Sequence, residues 1–348
     1  MSEARRSVTL DDVASHAGVS RATVSRVINS SKFVEPSMAE RVRVTAKKMG
    51  YVPNQAARSL TTRRNDMVAL VVTEPSHRFF HDPFFADIAR GVSQELADVD
   101  MRMLMAMIET PEELHRFQHY LLGRSVDGVL AISEHSALQM AGTLTATGVP
   151  MVLGGRPMNG ALPTIAHVDN DNRSGALLAT RHLQGRGATR IATIAGPQDM
   201  SAGIDRLDGF RDAFELPVSP ERIVVSDFTM GGGVAAMETL LARVPDVDAV
   251  FAASDLMALG AMQVLRRMDK RVPDDVAIVG FDDIDLSAHA TIPLTTVRQE
   301  TVSQGRLMVR LLLRLLGREA DLGKAARTSL PLTNSVVLPV SLVKRDSA

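Results

Sequence analysis

With 348 residues, of which 45% are apolar and 23% charged, the chain is long enough for two or three domains with their own cores, and a disordered polypeptide is excluded. It has no cysteine, which excludes disulfides, thiolate metal sites and cysteine nucleophiles, and it has no tryptophan. No apolar run approaches the roughly 20 residues that cross a bilayer, and the first residues lack the apolar core of a secretion signal, so we expect a cytoplasmic protein without a membrane partner.

The charge is distributed unevenly along the chain. Residues 1–64 contain twelve Lys and Arg against five Asp and Glu, whereas the whole chain has a net charge of −1, so the remainder is acidic. A basic head joined to a larger acidic body is typical of a nucleic-acid-binding module attached to a second function.

The head shows helical patterns separated by turn residues. The first helix is predicted to begin after Thr9 and to end at Gly18, and Ser20 is the expected N-cap of the second. A third helix is predicted to start at Pro36 and to stop at Gly50. This spacing is that of a helix–turn–helix, whose second helix enters the major groove of DNA.

The outward face of that second helix carries the candidate base contacts. They are Arg21, Ala22, Ser25 and Arg26. Arg26 is suited to hold a guanine by two hydrogen bonds, which is worth about 1–3 kcal/mol of discrimination. The alternative for either arginine is a contact with phosphate, and for Arg21 the two interpretations are equally compatible with the sequence.

From residue 65 onwards, short apolar runs alternate with helical patterns. The apolar runs lie at 67–73, 101–108, 128–132, 150–154, 191–195, 222–225, 249–253 and 276–281, and the helical patterns include 85–96, 173–183, 233–241 and 257–268. Such alternation predicts an α/β fold of parallel sheets with helices on both faces. The units are too many for one sheet of the usual size, so we predict two lobes.

Several colinear segments resemble the lactose/galactose repressor (LacI/GalR) family. They are 8–29 with 50–54, 253–262, 279–283, 293–297 and 338–345. The resemblance implies an all-α helix–turn–helix domain at 1–52, a hinge helix and linker at 53–64, and a two-lobed, periplasmic-binding-protein-like core at 65–348. Lobe 1 is expected at about 65–166 and 294–326 and lobe 2 at about 167–293 and 327–345, with crossings near 165–168, 292–297 and 325–330.

The resemblance also implies how the protein binds double-stranded operator DNA. Residues 54–60 match a hinge helix, with Leu60 as a wedge in the minor groove and Ala57 as a small residue between paired hinges. So short a helix needs a partner to be stable, which implies a homodimer; an ordinary flexible linker is the alternative. The expected DNA contacts are Thr9, Ser20, Arg21, Ala22, Ser25, Arg26, Asn29, Asn54, Ala57 and Leu60.

A small-molecule effector is expected in the cleft between the lobes, at the carboxyl ends of the strands. By the family match, Asp282 and Arg206 bind effector hydroxyls, Phe228 stacks on the ligand, and Phe84 and Phe85 cover it. Helix packing is the alternative for one of these two phenylalanines. Glu74 and Asp255 follow predicted strands and are further candidates, although capping of the helix after residue 255 is the favoured primary role of Asp255.

Carboxylate, guanidinium and ring faces together suit a sugar, which offers hydroxyl edges and C–H faces. Residues 74–85 form a longer and more aromatic segment than the lactose repressor has, and resemble regulators of cello-oligosaccharide and β-glucoside use. We therefore expect a repressor controlled by a mono- or oligosaccharide. The chain ends soon after residue 345 without a leucine heptad, which favours a dimer over a tetramer.

The signatures of common enzymes are missing from the sequence, so we expect no catalytic residues, no cofactor and no metal. His115 and His119 have metal-binding spacing but no evident third ligand, and a solvated helix face is the favoured interpretation. Asp282 and Asp283 are adjacent on a strand and point to opposite faces, so they cannot flank one glycosidic bond. A sugar-binding solute receptor without a DNA function is the alternative to the repressor.

Overall fold

The computed structural model describes residues 8–28, 34–52, 64–133, 135, 140–158, 165–328, 330 and 333–348. The chain divides into two compact units, Met1–Asn65 and Asp66–Ala348, which we call the head and the core. No described helix is long and apolar enough to span a membrane.

The head is built from helices whose ends are set by local hydrogen bonds. They are α1 (Leu10–Ala17), α2 (Arg21–Ile28) and α3 (Pro36–Met49). Thr9 and Asp12 form a reciprocal capping box at α1, and Ser20 Oγ accepts a hydrogen bond from the Thr23 amide at 3.2 Å, which confirms the predicted N-cap of α2. The buried cluster that joins the helices is Val13, Ala14, Ala17, Val24, Val27, Ala39 and Val42.

The core alternates strands and helices. Its first part contains β1 (Met67–Val72), α4 (Ser76–His81), α5 (Pro83–Ala97), β2 (Arg102–Met107), α6 (Pro111–Leu122), β3 (Gly128–Ile132), α7 (Met140–Thr145), β4 (Met151–Gly154) and β5 (Ala166–Asn170). It continues with α8 (Asn172–Gly185), β6 (Ile191–Ala195), α9 (Ser201–Arg211), β7 (Ile223–Val225), α10 (Met230–Arg243), β8 (Ala249–Ala252), α11 (Asp255–Arg267), β9 (Ala277–Asp282), α12 (Asp285–Ala288) and β10 (Thr295–Arg298). The last elements are α13 (Thr301–Leu315), α14 (Lys324–Thr328), β11 (Ser335–Leu338) and β12 (Ser341–Val343).

The strands form two sheets, one in each lobe. Lobe 1 has the order β11-β5-β4-β3-β1-β2, with parallel pairing throughout. Lobe 2 has the order β12-β10-β9-β8-β6-β7, in which β12 alone among the described strands is antiparallel to its neighbour. Helices α5 and α13 contribute to one buried cluster of lobe 1, and α6 and α7 to another. The predicted α/β architecture with two parallel-sheet lobes is confirmed.

The chain crosses between the lobes later than the sequence predicted. It leaves the first sheet after β5, returns after β10, and crosses again between β11 and β12, at residues 339–340. The expected third crossing at 325–330 is therefore wrong, and the first two fall a few residues beyond the expected positions. The first two are displaced because β5 and β10 have mixed sequences, AHVDN and TTVR, which do not form an apolar run. The third is displaced because β11 (SVVL) pairs with β5 and so keeps the chain in lobe 1 as far as residue 338.

Helices α5 and α13 approach each other closely at Gly91. A Cβ atom built on Gly91 would lie 2.2 Å from the carbonyl oxygen of Val302. We expect Gly91→Ala to lower the free energy of unfolding by about 1–3 kcal/mol, because a methyl group forces the helices apart. Chemical denaturation of the full chain measures this. Gly142→Ala is the matched control, since nothing lies within 4 Å of that position in α7; equal stability of both variants would contradict the close packing.

Candidate functional site

The exposed face of α2 presents most of the predicted DNA contacts of the head. Ser20, Arg21, Ala22 and Arg26 are exposed and Ser25 is half-buried. Arg21 lies 3.5 Å from the Asp11 carboxylate, but both side chains are well exposed, so this ion pair leaves the guanidinium available to DNA. Thr9 is occupied as the cap of α1. The predicted contacts Asn29, Asn54, Ala57 and Leu60 lie outside the described residues.

The cleft between the two lobes contains the largest group of predicted effector residues. Its lining residues are Arg78, Asp82, Phe84, Phe85, Ser133, Gly154, Gly155, Asp169, Asn170, Asn172, Met200, Ser201, Ala202, Arg206, Phe228, Ser254, Asp282, Gln299 and Gln304. The space between them, counted with the open mouth and the adjoining solvent, is about 660 Å³. Five of the seven predicted residues line it: Phe84, Phe85, Arg206, Phe228 and Asp282.

An ion pair between Asp282 and Arg206 forms the lobe 2 wall of the cleft. Arg206 Nη1 lies 3.2 Å from Asp282 Oδ1, and Arg206 Nε donates to Asn172 Oδ1 at 2.8 Å. Gln299 Nε2 donates to the same Asp282 oxygen at 2.7 Å. The guanidinium also lies 3.7 Å from the centroid of the Phe281 ring. These contacts fix both side chains in position before any ligand arrives.

The acidic groups of the cleft are only weakly acidic. The pKa of Asp282 is raised to about 7, chiefly by burial. The positive charge of Arg206 opposes this rise, and the negative charge of Asp82 adds to it. Burial also raises the pKa values of Asp82 and Asp169 and lowers the pKa of Arg206. A carboxyl group such as Asp282, whose pKa lies near neutral, can donate a hydrogen bond when protonated and accept one when ionised. The cleft therefore suits a ligand that is neutral and rich in hydroxyl groups.

Phe228 gives the cleft an apolar surface. Its ring is held between two guanidinium groups, with the Cζ atoms of Arg78 and Arg206 at 5.3 and 5.6 Å from the ring centroid. Phe84 packs edge-on against Phe85 at 5.3 Å, and Phe85 is 1% exposed and part of the lobe 1 core. Phe85 is thus mainly a packing residue, the alternative that the sequence left open for one of the pair.

Asp255 lies outside the lining of the cleft, contrary to expectation. Its carboxylate is fully buried and accepts hydrogen bonds from Thr296 Oγ1 at 2.5 Å and from the Ile284 amide at 3.0 Å. The expectation that it caps α11 is wrong as well, because Ser254 is the N-cap and accepts from the Met257 amide at 3.2 Å. Asp255 instead joins α11 to β10 and to the segment after β9.

Glu74 also lies outside the cleft lining. It is 1% exposed, and its Oε1 atom is within 2.5 Å of Arg78 Nη1 and 3.1 Å from His135 Nε2, and accepts from the Ser133 hydroxyl. Burial alone would raise its pKa, but hydrogen bonds from His135 and Ser133 and the charge of Arg78 bring the pKa below the usual value. The structure does not bring Glu74 into the cleft lining with the other predicted residues, because its carboxylate is engaged by Arg78, Ser133 and His135; a direct effector contact at Glu74 stays a prediction.

The sequence did not identify several residues that line the cleft. The polar ones are Arg78, Asp82, Ser133, Asp169, Asn170, Asn172, Ser201, Ser254, Gln299 and Gln304. Asp169 lies at the end of β5 and Gln299 just after β10, the two strands that form no apolar run. Arg78 and Asp82 lie within 74–85, which the sequence had singled out for its length and aromatic content.

The arrangements considered for catalysis have other roles. Asp283 pairs with Arg298 and Arg345, away from the Arg206 partner of Asp282. The Nε2 atoms of His115 and His119 lie 3.1 Å apart on the exposed side of α6. Within the described residues, no group of three His, Asp or Glu side chains could hold a metal ion.

Comparisons with known proteins agree with both units. Residues 9–54 match the family "Bacterial regulatory proteins, lacI family", and residues 180–348 match "Periplasmic binding protein-like domain". The chain is 48% identical over 323 residues to the HTH-type transcriptional regulator CelR of Thermobifida fusca, covering 92% of this chain and 95% of the relative.

Solved structures give the same result for the whole fold. A transcriptional regulator CelR–cellobiose complex is similar with a TM-score of 0.75 and 44% identity, over 98% of this chain and 100% of that one. A lac repressor dimer bound to operator and the anti-inducer ONPF has a TM-score of 0.82 at 26% identity, over 98% and 99%.

A helix–turn–helix head followed by a two-lobed core with a ligand cleft defines a transcriptional regulator of the repressor type. The chain belongs to the LacI family of bacterial regulatory proteins.

Proposed function

We propose that this regulator is a repressor of sugar-utilisation genes that binds operator DNA, and that a short neutral saccharide of the cellobiose class controls it from the cleft. The observation that carries this proposal is the pairing of Asp282 and Arg206 beside the Phe228 ring, which offers hydrogen bonds to hydroxyls and a flat face to C–H groups. The similar CelR complex contains cellobiose, which supports a disaccharide.

The position of the cleft suggests how the effector acts. Asp282 and Arg206 belong to lobe 2, whereas Asp82 and Phe84 belong to lobe 1, so a bound saccharide contacts both lobes. Arg156 of lobe 1 already donates to Asp205 of lobe 2 at 2.7 and 2.8 Å. A ligand that bridges the lobes favours this arrangement over an open one, and only such a difference in affinity can shift the equilibrium between DNA-binding states.

We further propose that the regulator acts as a homodimer, as the similar lac repressor does on its operator. A groove in lobe 2 offers an apolar surface for a second copy of the chain. Its apolar lining residues are Met230, Leu259, Met262, Val272, Leu286, Ala290 and Ile292, and Leu286 is 50% exposed. Gln263, Arg266, Asp269, Lys270, Arg271 and Thr291 complete the lining. Two heads side by side match the two half-sites of a palindromic operator.

Enzymatic activity and a cofactor are not part of this proposal, because the similar proteins are transcriptional regulators. We place the protein in the cytoplasm, where its operator is.

Binding of the full chain to fluorescent DNA duplexes tests the proposal. We expect a duplex selected from a random pool to bind with an affinity that falls with salt, at a logarithmic slope of about −0.9 per phosphate neutralised. Saturating cellobiose is expected to change this affinity by about 5- to 150-fold. Sedimentation of the complex should show two chains per duplex. Cellobiose binding without any DNA affinity at low salt would instead support the solute-binding alternative.

A further inference from the structure

Arg78 has a buried hydrogen-bond donor that is not used within the described chain. The residue lines the cleft from α4, and its side chain is only 10% exposed. Its Nη1 atom donates to Glu74, but its buried Nε atom has no hydrogen-bond partner. A charged donor that is buried without a hydrogen-bond partner destabilises the protein. A donor of this kind on a residue that lines a ligand cleft points to a bound ligand that accepts its hydrogen bond.

The Arg78 guanidinium is held at the interface of the two lobes. It lies 5.8 Å from the centroid of the Phe85 ring in lobe 1 and 5.3 Å from that of Phe228 in lobe 2. Because Arg206 contacts the same Phe228 ring at 5.6 Å, the two guanidinium groups flank the apolar surface of the cleft. A ligand that stacks near Phe228 therefore comes within reach of both.

A polar chain connects Arg78 to the opposite lobe. Glu74 receives hydrogen bonds from Arg78 and Ser133, and lies 3.1 Å from His135 Nε2. The other nitrogen of His135, Nδ1, lies 2.8 Å from the carboxylate of Asp199, which follows β6 in lobe 2. Only the protonated imidazole can donate to both carboxylates at once. Burial lowers the pKa of His135, but hydrogen bonds and charges from Glu74 and Asp199 raise it above its usual value overall.

We propose that Arg78 is an effector-binding residue whose Nε–H donates to a saccharide hydroxyl, and that Glu74, His135 and Asp199 position it when the lobes are closed. This inference rests on the proposed sugar effector and names a further residue that contacts it. It also gives position 74 a role: Glu74 orients the arginine that touches the ligand. Closing the lobes places Asp199 against His135, so ligand binding and lobe closure support each other.

Calorimetric titration of the full chain with cellobiose tests the contact. Arg78→Lys keeps the charge beside Glu74 but removes Nε–H, and we expect it to weaken cellobiose binding about 10- to 100-fold. Arg90→Lys on α5 is the matched control, because Arg90 is exposed and pairs with Asp87 outside the cleft; its affinity should not change. Operator affinity without ligand, measured for each variant, reports correct folding.

A pH series tests the positioning chain separately. The contacts with Glu74 and Asp199 raise the pKa of His135 in the closed form. The affinity of the wild type for cellobiose should therefore be highest at a pH below the ordinary pKa of histidine, where His135 is protonated in both forms. It should fall as the pH rises through the raised pKa, because the closed form then loses the proton that His135 shares with the two carboxylates. His135→Gln should lose the fall in affinity that is due to His135, whereas the pH dependence that is due to Asp282 should remain. The charged groups that face His135 are Glu74 and Asp199, and those that face Arg78 are Glu74, Asp82 and Asp227.

The outcomes separate the inference from the function on which it rests. If Arg78→Lys binds cellobiose as tightly as the wild type, the proposed hydrogen bond from Arg78 to the saccharide is wrong. If His135→Gln keeps the wild-type pH profile, the proposed positioning of Arg78 through Glu74, His135 and Asp199 is wrong. If the wild type binds operator but neither cellobiose nor another mono- or disaccharide, the proposed effector class and this inference both fail.

Discussion

Asp282→Ala is expected to abolish the response to the saccharide effector. Asp282 supplies the lobe 2 carboxylate of the cleft, and its removal leaves the buried guanidinium of Arg206 without the charge 3.2 Å away. Truncating one member of such a buried pair costs about 2–5 kcal/mol, so we expect affinity to fall by at least about 30-fold. A thermal shift measures it, because a ligand at 100 times its dissociation constant stabilises the wild type by about 2.7 kcal/mol.

Two further variants make this result interpretable. Asp282→Asn keeps the shape of the side chain and an acceptor oxygen for Gln299, and should lose less affinity than Asp282→Ala. Asp285→Asn, three residues away on the exposed surface of α12, should respond like the wild type. Operator binding without effector should persist in all three. A normal shift with cellobiose in Asp282→Ala would remove Asp282 from the effector site, and stabilisation of the wild type by purines instead would contradict a sugar effector.

Arg26→Ala is expected to weaken specific operator binding and to relax the base preference at one position of each half-site. Arg26 is exposed on α2, while Val24 and Val27 of the same helix are buried in the head, so its side chain faces away from the core. Loss of a bidentate contact with guanine costs about 1–3 kcal/mol, which is about 5- to 150-fold in affinity. Competition between the selected operator and its single-base variants measures both effects.

Arg43→Ala serves as the control for Arg26→Ala. Arg43 is an exposed arginine of α3 that pairs with Glu40, so its removal changes the charge of the head by the same amount. It should leave the ranking of operator variants unchanged. If Arg26→Ala instead weakens all duplexes equally and reduces the salt slope by about one, Arg26 contacts phosphate rather than a base.

The strands that the sequence predicted well are those buried on both faces. β3 and β6 have the bounds that their apolar runs gave, and each of their residues is buried. β5 and β10 were missed because they carry His167, Asp169, Thr295 and Thr296. These polar residues are tolerated in a sheet only because distant partners satisfy them, as where Thr296 donates to Asp255 from 41 residues away.

The sequence by itself determined the helical head and the alternation of strands and helices, and its resemblance to the LacI family made Asp282, Arg206 and Phe228 candidates. The helix ends follow from contacts within a few residues, such as the Thr9–Asp12 box, and buried strands follow from runs of apolar side chains. Only the tertiary structure decided which charged groups face the cleft. Glu74 turns toward Ser133, 59 residues away, and leaves Arg78 to line the cleft, because a buried carboxylate takes the orientation in which its donors are nearest.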